Sequence, residues 1–323
     1  MRSYCLGAMR ALAAVILIAS LSLRPAAAEI YSLATTPPGS FTYTLAAAIA
    51  AAGNKKDALL RVQTYGNSAQ FLPLVESGEV AFALTNVLDL DAAIKGEGGF
   101  AGRPATHLRA VAFLFPFQTG FLVRVDSDVK TPADVKGKRV PLFSTQPTFQ
   151  AIMRAVLANA GLGESDIEYV PLGNFTQQYD EFAAGHIDVA LSVPGQSAVA
   201  DLKEKVGALR FLPLDNGANA IGAMQAVLPL AYVTEVKPNP NFVGVEAPLA
   251  MLSYDYVLFV NDGVADAAVA ELVQRLRDNA DVLAATAPKF KSFKPETMAK
   301  SLPLPYHPGA EAYYRANGLW PTQ

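Results

Sequence analysis

Cysteine is nearly absent from this 323-residue chain. The one copy, Cys5, precedes an apolar run at the N-terminus, so everything after that run lacks a thiol for a disulfide, a metal or covalent catalysis. Histidine is scarce too. His107, His186 and His307 are the only three, and none has a partner at the short spacings that metal sites use. No Gly-x-Ser-x-Gly elbow occurs. A basic excess is also missing: 26 lysines and arginines face 29 acidic residues, for a net charge of −3. Nucleic-acid binding calls for a basic stripe and is disfavoured. Neither metal nor cofactor is expected.

The longest apolar run, residues 11–23, has 13 residues against the roughly 20 that a membrane span needs. Arg2 and Arg10 precede it, and Pro25-Ala26-Ala27-Ala28 follows, which completes the three-part pattern of a secretory signal. Cleavage is expected before Glu29; the competing reading, an uncleaved anchor, is disfavoured by length. Loss of residues 1–28 leaves 295 and removes three arginines, taking the net charge to −6. Cys5 lies on the wrong side of the run to carry a lipid at the cleavage site. The expected product is soluble, outside the cytoplasm (in the periplasm), and long enough for two domains.

Along that product, β-branched and aromatic runs alternate with alanine-rich helical stretches, the pattern of an α/β fold. Strands are expected at residues 30–35, 60–64, 80–84, 108–113, 121–125, 139–142, 168–171, 187–191 and 256–260. Helices are expected at 42–52, 69–77, 148–160, 176–184 and 265–285, with a short one started by Thr131-Pro132-Ala133-Asp134. The chain also repeats itself. Residues 66–84 align without gaps to 173–191 at an offset of 107, with six of 19 positions identical. The identities include the glycine, asparagine and glutamine of Gly66-Asn67-Ser68-Ala69-Gln70 and Gly173-Asn174-Phe175-Thr176-Gln177, and the later pair Gly78 and Gly185. Chance likeness between alanine- and glycine-rich segments competes with duplication. The same order of elements in both halves favours two similar lobes.

Ligands of open α/β sheets bind at the carboxyl ends of strands and at helix N-termini. That rule selects four loops: residues 35–40, 85–86, 144–148 and 192–195. Ser144, Thr145 and Thr148 are candidates to hold an anion, helped by the positive end of the following helix; the alternative is a helix cap alone. Thr36, Ser40 and Tyr43 pose the same choice in the first half, and Asn86 and Ser192 end the repeated strands. Asn67 and Asn174 suit local turn geometry, although Asn67 is retained as a ligand candidate. Arg124 is a candidate bidentate partner for a carboxylate against the commoner surface role. Tyr254 and Tyr256 are expected to line or brace a return crossing between lobes, and residues 116–120 to lie next to a hinge.

Phe121-Leu122-Val123-Arg124-Val125-Asp126-Ser127, followed by residues 134–140, resembles the segment by which many solute-binding proteins enter their second lobe. Leu302-Pro303-Leu304-Pro305-Tyr306-His307-Pro308-Gly309-Ala310-Glu311-Ala312-Tyr313-Tyr314 is similar to the C-terminus of the TAXI subfamily of TRAP-transporter receptors. The resemblance implies a type II periplasmic-binding-protein-like fold, α/β and two-lobed, with the ligand cleft between lobes. Lobe one would hold residues 29–119 plus 256–323, and lobe two 120–255. It further implies a monomeric receptor that performs no chemistry, captures a small organic anion (a carboxylate or amino acid) and hands it to a TRAP-type membrane permease. Two loops depart from the subfamily: Thr35-Thr36-Pro37-Pro38-Gly39-Ser40-Phe41 and Leu142-Phe143-Ser144-Thr145-Gln146-Pro147-Thr148 stand where glycine-rich loops are usual. Fewer glycines keep a ligand further from the backbone. A receptor for an ABC importer and an enzyme on the same scaffold are the alternatives.

Overall fold

The computed structural model describes residues 29–302 and 304–321; the expected export signal, residues 1–28, lies outside the described residues. The first half alternates strands and helices: β1 (Tyr31–Thr35), α1 (Phe41–Gly53), β2 (Leu60–Thr64), α2 (Ser68–Glu76), β3 (Phe82–Asn86) and α3 (Val87–Lys95). A 17-residue strand, β4 (Leu108–Arg124), then carries the chain out of this unit. The second unit holds β5 (Arg139–Leu142), α4 (Pro147–Asn159), β6 (Glu168–Pro171), α5 (Gln177–Ala183), β7 (Ala190–Ser192) and α6 (Ser197–Val206). It continues through β8 (Leu209–Phe211), α7 (Ala218–Val227) and β9 (Tyr232–Val236). β10 (Leu249–Asn261) returns, and α8 (Asp266–Asp278), α9 (Ala280–Thr286) and α10 (Pro308–Ala316) complete the first unit.

The main sheet has the order β2-β1-β3-β10-β4-β7, with β8 also on β4 and β9 on β10. β1 runs parallel to β2 and β3, which buries both faces and explains the unbroken apolar character of Phe82-Ala83-Leu84. β4 and β10 pair antiparallel from Thr119–Leu252 to Leu108–Asn261 and form the ribbon that joins the lobes. Alanine is the best helix former and lets a helix sit close to a sheet. α1 uses this, burying Leu45, Ala46, Ala48, Ile49 and Ala52. α8 covers the same face with Val269, Leu272, Val273 and Leu276, each fully buried and each contributing roughly 1.5–3 kcal/mol.

Several expectations are corrected. The strands expected at 108–113 and 121–125 are one strand that ends at Arg124, and residues 116–120 lie within it. Pro116 is tolerated because β7 joins β4 only from Gly120 onward, so the outer edge beside Pro116 has no ladder bond to supply. The helix expected at 265–285 is two, divided at Asn279 (φ −121°, ψ 35°), whose side-chain amide donates to the Arg275 carbonyl at 2.8 Å. The expected strand at 256–260 begins seven residues earlier, at Leu249. Helices α3, α6, α7 and α10 and strands β8 and β9 were absent from the sequence reading.

Candidate functional site

Register places the two sets of strand ends together. Asn86, at the end of β3, lies opposite Tyr256 of β10, and Ser192, at the end of β7, lies opposite Gly120 of β4. Both units therefore point their strand carboxyl ends, and the helix N-termini that follow, at the ribbon crossing near Phe117 and Tyr254.

In lobe one, three polar side chains cap these helices. Ser40 accepts from the Tyr43 N–H at 3.1 Å and lies 2.6 Å from the Thr36 hydroxyl. Asn67 accepts from the Gln70 N–H at 3.2 Å, while the Gly66 N–H donates back to Gln70 Oε1 at 2.8 Å. Asn86 accepts from the Asp89 N–H at 2.9 Å. Capping of this kind is worth about 1 kcal/mol per helix. Tyr43, in the first turn of α1, is half-buried. Its neighbour Phe41 is 42 % exposed and meets Phe117 and Tyr256 edge-on, with centroids 5.3 and 6.0 Å apart.

In lobe two, Gly173-Asn174-x-x-Gln177 repeats the lobe-one cap. The Gly173 N–H donates to Gln177 Oε1 at 2.8 Å, and the Gln177 N–H to Asn174 Oδ1 at 3.0 Å. Ser144 and Thr145 are exposed before α4, with the Thr145 hydroxyl donating to the Gly173 carbonyl at 3.3 Å. Phe149, in the first turn of α4, and Phe175 meet with ring centroids 4.3 Å apart, tilted by 30°. Ser192 is fully buried and turned inward, 3.0 Å from the Tyr179 hydroxyl, which donates to Gln196 at 2.9 Å. Burial pushes the Tyr179 phenol up to about 12.

Thr148 does something else. Its hydroxyl donates across the lobe boundary to Asp89 Oδ1 at 2.8 Å. Asp89 Oδ2 accepts in addition from Ser68 at 2.8 Å and Thr85 at 3.3 Å. Burial raises the Tyr254 phenol well above its ordinary value, and the charges of Tyr256 and Asp89 add to the effect. A second charged group stands at the ribbon: Lys289 Nζ donates to Gln118 Oε1 at 2.8 Å and lies 5.3 Å from the Phe115 ring centroid. Desolvation lowers the Lys289 ammonium to about 8.

Thr36, Ser40, Asn67, Asn86, Thr145 and Thr148 thus gather at the helix ends, whereas Arg124 does not. It stands four residues beyond Gly120, which is roughly 13 Å along a strand, and its guanidinium pairs with Asp126 at 3.1 Å. Sequence reasoning missed Asp89 and Lys289. Asn86-x-x-Asp89 before an apolar run is a helix-start signature, which would have located α3. A separate concavity of about 400 Å³ opens at the far ends of α2 and α3, among Leu72, Glu76, Ala93, Phe100 and His107. It has no part in the helix-end group.

Two α/β units joined by an antiparallel strand ribbon, with helix N-termini meeting at the crossing, define the two-lobed fold of periplasmic solute-binding proteins. The chain belongs to the NMT1-like family, whose model matches residues 33–318. It is similar in structure to a TctC solute-binding protein from Polaromonas (TM-score 0.56, 17 % identity, 83 % of this chain and 88 % of that one). It also matches the periplasmic aliphatic sulphonate-binding protein SsuA from Escherichia coli (TM-score 0.49, 16 % identity, 92 % and 90 % covered). Among the described residues no helix is long and apolar enough to cross a membrane.

Proposed function

We propose that the chain is a periplasmic receptor that closes its two lobes on a small organic solute and delivers it to a membrane permease, without chemistry of its own. Lobe one comprises residues 29–119 and 256–323, and lobe two 120–255. The observation that carries this reading is the meeting of helix N-termini from both lobes at one ribbon crossing. Groups on both lobes gain contacts only when the cleft is shut, so ligand binding and closure are coupled. The solute carries an anionic group, held at the N-termini of α1 and α4 near Thr36, Ser40, Ser144 and Thr145, where N–H groups and helix dipoles favour negative charge.

The resemblance of residues 302–314 to the TAXI subfamily supports a TRAP-type permease as the partner. An ABC importer is the second reading. A neighbouring gene for a large fused membrane subunit argues for the first, and one for an ATPase argues for the second. The receptor reading is tested by thermal shift of the purified mature protein against organic acids, sulfonates, amines and amino acids. A ligand at 100 times its Kd stabilises by about 2.7 kcal/mol. Turnover of any hit would overturn the reading.

A further inference from the structure

Asp89 is one of the points at which the two lobes touch through side chains, by its hydrogen bond from Thr148. Three hydroxyls donate to its carboxylate: Ser68 and Thr85 from lobe one and Thr148 from lobe two. An ionised carboxylate is an acceptor only, with about four lone-pair sites. Three are taken by protein donors. Among the described residues no lysine, arginine or histidine forms an ion pair with Asp89. The hydroxyls carry no charge of their own, so the half-buried Asp89 is a negative site that lacks a countercharge.

The surroundings fit a positive guest. Asp89 is close enough to Tyr254 and Tyr256 for its charge to act on both phenols, which burial already holds in the protonated form. Tyr254 packs against Phe117 at 5.4 Å and Tyr256 against Phe41 at 6.0 Å. Aromatic rings attract ammonium and guanidinium groups. The hydroxyl of Thr148, by donating to Asp89, is not available to donate to an anion. The ligand pole nearest to α3 is therefore the opposite of the anionic pole proposed for α1 and α4.

We infer that Asp89 is the specificity-determining acceptor of the cleft, and that it takes a protonated amine, amidinium or guanidinium of the solute. The inference rests on the receptor reading. A solute with both poles, its anionic group toward the α1 and α4 termini and its N–H group toward Asp89, satisfies both sites. A purely anionic solute meets like charge at Asp89.

The test compares the wild type, Asp89→Asn and Thr148→Val by thermal shift and calorimetry. The probes are matched sets: acetate, succinate and methanesulfonate; ethylamine, 1,4-diaminobutane and agmatine; and the common amino acids. The expected wild-type hits carry a protonated nitrogen. Asp89→Asn should weaken the best hit tenfold to a hundredfold, the range of a charge-assisted hydrogen bond. Thr148→Val should weaken it less than tenfold, since it removes only the lobe contact. The mature chain is free of cysteine, so spin labels on Lys56→Cys in lobe one and Lys203→Cys in lobe two report the lobe separation independently. An equal loss in both variants, with equal widening between labels, would reduce Asp89 to a lobe fastener and overturn the inference. A best hit without N–H groups, or tighter anion binding by Asp89→Asn, would overturn it as well. A panel in which nothing stabilises the wild type overturns the receptor reading first.

Discussion

Lobe one and lobe two solve the same local problem in the same way. In each, a Gly-Asn turn starts a helix, the asparagine accepts from the N–H three residues on, and the glutamine side chain returns to the glycine N–H. A Cβ on Gly66 would lie 2.9 Å from Gln70 Oε1, so the glycine is part of the cap. Gly78 and Gly185 then end the two helices at φ +79° and +75°, a conformation that costs other residues energy. The repeated motif is therefore structural. The lobes differ where the repeat stops repeating: the offset of 107 places Thr85 on Ser192 and Asp89 on Gln196. In lobe two the strand-end hydroxyl turns inward to Tyr179, which in turn donates to a neutral amide; in lobe one it serves a carboxylate that reaches the other lobe. One site became a brace and the other a contact.

The largest expected break in the likeness is at the part that only lobe one has, the C-terminal segment. A Cβ at Gly309 would fall 2.2 Å from the Asp266 backbone oxygen. Gly309→Ala should cost roughly 3 kcal/mol, the upper end for overpacking, and calorimetric melting should show lobe one failing first. Next comes Lys289 at the ribbon. Its ammonium is lowered from 10.5 to about 8 by desolvation, so the folded chain holds fewer protons than the unfolded chain between those values. Stability contributed by the neutral amine is present above 10.5 and is lost as pH falls through about 8. Lys289→Met should therefore stabilise at pH 7 by on the order of 2 kcal/mol, with the gain over wild type shrinking as pH rises toward 10. A gain independent of pH would refute the charge argument.

The caps allow a finer comparison. Asn174 accepts from the Thr176 N–H, the Thr176 hydroxyl and the Gln177 N–H, whereas Asn67 accepts from the Gln70 N–H. Asn174→Ala should cost about 1–2 kcal/mol and Asn67→Ala about 1 kcal/mol or less in urea unfolding. The smallest effect is expected at Arg124. Its pair with Asp126 is exposed and screened by solvent, and Arg124→Ala should leave both ligand affinity and the melting curve close to wild type.

Much of this architecture was legible in the sequence, because local rules wrote it. β1, β2, α1 and α4 announce themselves through apolar runs and alanine content, and the caps through Ser40 and the Gly-Asn turns. β4 was read as two strands because proline usually ends a ladder, and nothing local reveals that Pro116 faces an open edge. Helix α3 escaped because it is nine residues long and follows β3 with no loop between them. The Asp89–Thr148 contact was illegible for a stronger reason. The partners are 59 residues apart and meet only once both lobes are folded and docked.

The ribbon also fixes the order in which the polypeptide can assemble. β10 lies between β3 and β4 in the finished sheet, yet it is made more than a hundred residues after either. As the chain is threaded out from its N-terminus, β1, β2 and β3 emerge first and must wait with an unpaired edge. The second lobe's short-range pairs, β5 with β6 and α5 with α6, form meanwhile from a continuous stretch. Closing long sequence separations is slow, so the lobe synthesised first is the lobe completed last. Insertion of β10 is the step that locks the sheet, and until then the exposed side of β3 is where a chaperone has most to protect.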